Sequence, residues 1–84
     1  MELDDFDVYP ISHNGRVYNI ITAMDLTFRE VRGILDALVA LEAFPAGANA
    51  HEPVDLFTCA VEGFVFEVDV RGFDVMVYRR ERAK

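Results

Sequence analysis

Cysteine occurs once in these 84 residues, at position 59, so no internal disulfide can hold the chain together. Long apolar runs are missing too. Nothing approaches the ~18 consecutive apolar residues of a membrane-spanning helix. The start, MELDDFDV, has neither the basic nor the apolar region of a secretory leader. Both absences set a reduced, cytoplasmic location as the expectation. Serine is found only at Ser12, and histidine only at His13 and His51. Ser12 and His13 are chain neighbours, which rarely form a working nucleophile–base pair. No Cys/His spacing suits a zinc site. The five glycines, at 15, 33, 47, 63 and 72, do not make a phosphate-binding loop. Internal repeats, low-complexity tracts and linkers are absent. The chain is therefore expected to be non-enzymatic, with no catalytic residues, no cofactor and no metal.

Basic residues are also scarce. Asp and Glu number 15 against 8 Lys and Arg, a net charge of −7. The imbalance is uneven. Residues 79–84, RRERAK, carry a net +3 and read as a basic C-terminal tail, which leaves −10 on residues 1–78. Such a body repels nucleic acid and anionic membranes and attracts basic surfaces. With 52% apolar and 27% charged residues, it reads as an ordered globular chain. Its length fits one compact domain, 1–84, with a modest core, so a partner or a second copy is a natural source of further stability.

The positive signals begin with a hairpin. An extended segment near Asp5–Ile11 contains Pro10, which lacks a donor and suits an edge strand or a strand end. Asn14-Gly15 follows, a strong hairpin turn signal, and then a strand over Arg16–Ala23. One helix is marked clearly. Thr27 with Glu30 three residues on forms a capping box, and Leu26 with Val31 can form the hydrophobic staple. Phe28, Val31, Ile34, Leu35, Leu38 and Leu41 share one face at helical spacing. Arg32 and Asp36 pair at i,i+4 on the opposite face. Gly33 costs a helix ~1 kcal/mol against Ala, which marks a close approach by another backbone. Phe44-Pro45 ends the helix, and residues 45–53 form a loop.

The last third reads as two hairpins with turns at Glu62-Gly63 and Arg71-Gly72. Period-two alternation then places Phe57, Cys59, Val61, Phe64, Phe66, Val68, Val70, Phe73, Val75 and Val77 on one apolar face. The fold class is α+β, with order ββαβββ. One antiparallel sheet of about five strands packs a single helix on one face.

The other face of those strands carries the candidate site. It collects Glu67, Asp69 and Asp74, with Asp69 directly opposite Asp74, a like-charge pair that opposes folding. Leu56, Val65, Met76 and Tyr78 lie beside them as apolar anchors of the kind interfaces use. Glu2, Asp4, Asp5 and Asp7 form a second acidic run, which could extend this surface into a nucleic-acid mimic. In the second strand Val17, Ile21 and Ala23 take one face and Tyr18, Ile20 and Met24 the other, so the first hairpin is either buried on both sides or has one side as an interface. The expectation is a second interface at Tyr9, Ile11, Tyr18 and Ile20, as in a homodimer. The leading functional expectation is a small acidic module that binds a protein partner through that partner's basic, nucleic-acid-binding surface. In type it is like the inhibitors of phages and mobile elements (anti-CRISPR, anti-restriction or antitoxin-like), though no motif assigns it to such a family. The alternative is a dimeric accessory or regulatory subunit of an enzyme complex. Third comes a metal-dependent enzyme built on Glu67, Asp69 and Asp74.

Overall fold

The computed structural model describes residues 6–44 and 51–83. Glu2, Asp4, Asp5, most of the 45–53 loop and Lys84 lie outside the described residues. The elements run β1 (Asp7–His13), β2 (Arg16–Thr22), α1 (Phe28–Ala40), β3 (Asp55–Val61), β4 (Phe64–Arg71) and β5 (Asp74–Arg82). They form the α+β fold that periodicity implied, a five-stranded sheet in the order β1-β2-β5-β4-β3 with the helix on one face. Among the described residues no helix is long and apolar enough to cross a membrane.

The sheet is mixed rather than purely antiparallel. β2 and β5 run parallel, with Asn19 beside Asp74 and Thr22 beside Val77. The connection dictates this. α1 returns the chain to the end where β2 began, so β3 runs in the direction of β2. Two hairpins then reverse it twice, and β5 arrives parallel to its neighbour. The seam is stitched on the core side by Thr22, which is fully buried. Its hydroxyl donates to the Val77 carbonyl at 2.9 Å and accepts from the Met24 amide at 3.1 Å.

Two of the three hairpin turns follow the sequence as read. Asn14-Gly15 and Glu62-Gly63 have positive φ at both central residues, which is the type I′ pattern. The third differs. Arg71 pairs with Asp74, so the turn is Gly72-Phe73 rather than Arg71-Gly72. Gly72 has a φ of 58° and Phe73 does not have a positive one. This is the II′ pattern, which wants glycine at the first central position. This turn moves the pairing by two residues, an even number, so the side chains of β4, and of β5 as far as Tyr78, keep their expected faces.

The capping box is present in both directions. The Glu30 amide donates to Thr27 Oγ1 at 3.1 Å, and the Thr27 amide donates to Glu30 Oε1 at 2.9 Å. Val31, Ile34, Leu35 and Leu38 are buried against the sheet. Phe28 and Leu41 are not core residues as expected, being 75% and 52% exposed at the two ends of the helix. Leu41 is the C-cap and the helix stops there, before Phe44-Pro45. Glu42 takes a left-handed φ of 57°. The Glu42 amide donates to the Val39 carbonyl and the Ala43 amide to the Leu38 carbonyl, a Schellman motif with glutamate where glycine is usual.

Gly33 does mark a close approach, but by a side chain. A Cβ built there would overlap Cγ1 of Val61 on β3. Gly33→Ala is therefore expected to destabilise. Overpacking costs ~1–3 kcal/mol and outweighs the ~1 kcal/mol gained in helix propensity. After Val61→Ala the clashing methyl is gone and the Cβ at position 61 remains at 3.4 Å, an ordinary contact, so the same substitution should become stabilising. Urea unfolding of the four proteins checks the sign change; strictly additive effects would disprove the contact.

The basic tail, read from the sequence as a strand end able to pair with the acidic face, forms the end of β5. β5 continues to Arg82, and a register irregularity at Glu67/Val68 pairs Glu67 with Arg79 and Phe66 with Arg80. Such a bulge sends neighbouring side chains to chosen faces. Arg79 reaches Glu67 on the outer face, while Arg80 turns to the helix side. There Arg80 Nη1 meets Glu30 Oε2 at 3.0 Å, and the guanidinium lies 5.3 Å from the centre of the Phe64 ring.

Candidate binding face

The sheet face away from the helix holds every expected site residue of β3, β4 and β5. Cross-strand pairing arranges them in rows. One row crosses all five strands as Val8, Ile21, Met76, Asp69 and Leu56. It is apolar except for Asp69. Leu56 is 69% exposed and Val8 56% exposed at its two ends, while Ile21, Met76 and Asp69 between them are partly buried. Thr58, Glu67 and Arg79 form a row on one side, with Ala60 and Val65 beyond. Asn19, Asp74 and Arg71 lie on the other side. Tyr78, half exposed, stands at the bulge near Glu67 and Asp69. Partial burial, then the charges of those two carboxylates, hold its phenol above the usual range.

Asp69 and Asp74 do not oppose each other. The II′ turn puts Met76 opposite Asp69 and Arg71 opposite Asp74. The three carboxylates thus have different surroundings. Asn19 Nδ2 donates to Asp74 Oδ1 at 3.0 Å. Glu67 lies 3.7 Å from Arg79, which is shared with Glu81. Those two neighbours raise the Arg79 guanidinium further, its hydrogen bond to Glu81 first. Asp69 has no such match. Its Oδ1 is shielded from solvent, and no donor among the described residues reaches it. An unsatisfied buried acceptor costs ~1–3 kcal/mol, more when charged, so this oxygen is a standing penalty in the free protein.

The second interface expected from sequence is not a surface. Ile11, Tyr18 and Ile20 are buried and Tyr9 packs against them, all within the core beneath α1. The Tyr18 ring lies 4.5 Å from that of Phe44, tilted by 51°, and 5.6 Å edge-on from that of Phe73, centre to centre. The helix covers the side of the first hairpin that was assigned to a dimer. The outer-face members of that hairpin, Val8 and Ile21, complete the five-strand row instead. The signal for Ile21 was legible, since Val17 and Ile21 make the other side of β2 apolar as well.

Cys59 is buried, and burial pushes its thiol up, away from the reactive thiolate. Among the described residues no three His, Cys, Asp or Glu side chains converge as metal ligands. Glu67, Asp69 and Asp74 in particular sit in three different rows. His13 lines a shallow cleft with Asn14, Arg16, Tyr18, Val39, Glu42 and Phe44, where Arg16 lies over the Phe73 ring at 4.7 Å. No protein-family model, curated protein or solved structure matches this chain.

Proposed function

We propose that this is a non-enzymatic binding module whose outer sheet face docks a protein partner through a basic side chain placed against Asp69. The carrying observation is the orphaned Asp69 oxygen in the middle of an otherwise apolar row. An arginine or lysine from a partner would satisfy the carboxylate with a charge-assisted hydrogen bond once rotation of the Asp69 side chain brings the shielded oxygen to the surface. Its aliphatic stem would cover Leu56 or Met76. Tyr78 and Leu56 supply exposed apolar area beside the charge, the composition of an interface anchor. The overall −7 charge steers basic partners toward the protein. A partner whose own working surface binds nucleic acid fits this chemistry, and covering that surface would make the module an inhibitor.

Affinity capture from host lysate at low and high salt tests the reading. Wild type is compared with Asp69→Asn and Leu56→Ser on the outer face, and with Asp36→Asn on the exposed side of the helix as control. One protein should be retained by wild type and the control and depleted by both outer-face variants. Its purified form should bind Asp69→Asn roughly tenfold or more weakly, the loss of one charge-assisted bond, and with a flatter salt dependence. Equal retention by all four proteins would leave the face merely solvated.

A further inference from the structure

The two edges of the sheet are not equivalent, and the difference follows from turn parity. A two-residue turn is flanked by a hydrogen-bonded pair, and such pairs then alternate along the hairpin. In the first hairpin His13 and Arg16 flank the turn. Residues 7, 9, 11 and 13 therefore bond inward to β2, and Val8, Pro10 and Ser12 point their backbone groups outward. The Asn19 amide agrees with this parity. Asn19 faces Pro10, and its N–H turns the other way to the Phe73 carbonyl at 3.0 Å. Pro10 thus removes no ladder bond; it deletes the central outward donor of β1, a common guard on an exposed edge.

β3 is the opposite edge, and it has no such guard. Val61 and Phe64 flank its turn, so 55, 57, 59 and 61 bond inward to β4. The N–H and C=O groups of Leu56, Thr58 and Ala60 point outward. No strand among the described residues pairs with that side. Residues 55–61, DLFTCAV, contain no proline, lysine or arginine, and β3 pairs with β4 without a bulge. The side chains of Leu56, Thr58 and Ala60 are all exposed. They lie on the outer face, in the rows of Asp69, Glu67 and Val65.

We infer that β3 accepts an added β-strand from a protein partner, an extended segment with basic side chains at alternate positions. The inference rests on the outer-face reading for the partner's charge, but not for the backbone pairing. An added strand lies ~4.8 Å beyond β3 and so about 10 Å from β4. Its outward-face side chains then cross Leu56 and Thr58 toward Asp69 and Glu67. Long basic side chains suit that path, with the stem on Leu56 and the head at the carboxylate. Main-chain bonds give affinity in this mode and alternate side chains give selectivity. A second copy fits less well. Antiparallel self-pairing centred on Thr58 brings Asp55 of each chain toward Glu62 of the other, and joins two bodies of like net charge.

The test uses an eight-residue peptide of alternating arginine and valine, with acetylated and amidated ends. A second form is N-methylated at every other residue, on the edge that would face β3. Amide exchange and affinity are measured by nuclear magnetic resonance for wild type, Thr58→Pro and Asp69→Asn. The inference expects slowed exchange at Leu56, Thr58 and Ala60 on binding, and at least tenfold weaker binding for the methylated peptide and for Thr58→Pro. Thr58 donates no bond to β4, so the fold should survive proline; the methylated peptide tests the same bond should it not. Asp69→Asn should weaken binding and flatten its salt dependence while the three amides stay protected. Protection with no effect of Asp69→Asn keeps strand addition and removes the charge reading. Weaker binding by Asp69→Asn without protection, and with methylation harmless, keeps the outer face and overturns strand addition. Absence of binding overturns it too. So does concentration-dependent protection of these amides without peptide, since a second copy would then occupy the edge.

Discussion

Phe66→Ala is expected to cost about 3–5 kcal/mol, the usual range for deleting a buried aromatic ring. Phe66 is the largest of the fully buried side chains, with 0% exposure. It projects from β4 toward the helix layer, between Cys59 on β3 and Arg80 on β5. Its ring lies 6.3 Å from that of Phe64. Removing it leaves a cavity between sheet and helix that rigid strand pairing cannot close. A chain of 84 residues has a total stability of roughly 4–13 kcal/mol at 0.05–0.15 kcal/mol per residue. The loss would thus consume a large share, and the variant should be extensively unfolded at moderate urea. Urea denaturation followed by far-UV circular dichroism checks this. A loss under ~1 kcal/mol would mean that the helix does not pack on β4 as described.

Arg80→Ala is the second large effect, at about 1–3 kcal/mol, with a definite pH dependence. Glu30 is buried, and its carboxylate serves two partners, the Thr27 amide at 2.9 Å and Arg80 at 3.0 Å. Burial alone would raise the Glu30 pKa. The Thr27 hydrogen bonds and the Arg80 guanidinium outweigh it and hold the group below its ordinary value. A carboxylate depressed in the folded state adds stability above its unfolded pKa, ~4.3. That stability is lost as pH falls through the folded value. Removing Arg80 leaves a buried charge half-matched, which is costly. Because Arg80 is itself about a third exposed (31%), the figure is set below that for a fully buried pair. Its contact with the Phe64 ring adds ~0.5–1 kcal/mol. Thermal or urea melts at pH 7 and near pH 3 should show a gap between wild type and Arg80→Ala that narrows in acid. A gap independent of pH would place the effect in packing alone.

Neither half of the Glu30–Arg80 pair was legible as a pair. Glu30 could be assigned to the capping box from local spacing alone, because its partner Thr27 is three residues away. Arg80 is fifty residues away, and its side depends on the bulge at Glu67/Val68. A bulge changes the alternation of one strand without changing its composition, so period-two counting sends Arg80 to the wrong face. The same counting ran safely through the rest of β4 and β5. There the turn was misplaced by one residue, which shifts the cross-strand pairing by two, and the apolar face survived while the individual pairs changed.

The outer face shows what that difference costs a functional argument. Its membership followed from alternation, since Leu56, Val65, Glu67, Asp69, Asp74, Met76 and Tyr78 all stand there. Its electrostatics did not. A glycine with positive φ at position 72 moved Asp69 from beside another acid to beside Met76, and gave Asp74 an arginine and an asparagine as neighbours. The supposed repulsion disappeared, and a single unmatched oxygen took its place.

Local chemistry written in the sequence determined the elements of this protein: the capped helix, two I′ turns, the alternating strands and the side that β3, β4 and β5 bury. These depend on residues no more than a few positions apart. The sequence also held the reason why β1 ends the sheet, because Pro10 falls on the outward parity of its hairpin. What the tertiary structure alone decided was the joining of distant parts. β5 sits parallel beside β2, Val8 and Ile21 extend the outer row, Tyr18 and Ile20 go under the helix, and Arg80 meets Glu30. Each of these joins segments tens of residues apart, and it is fixed by which buried faces can be closed together rather than by any local preference.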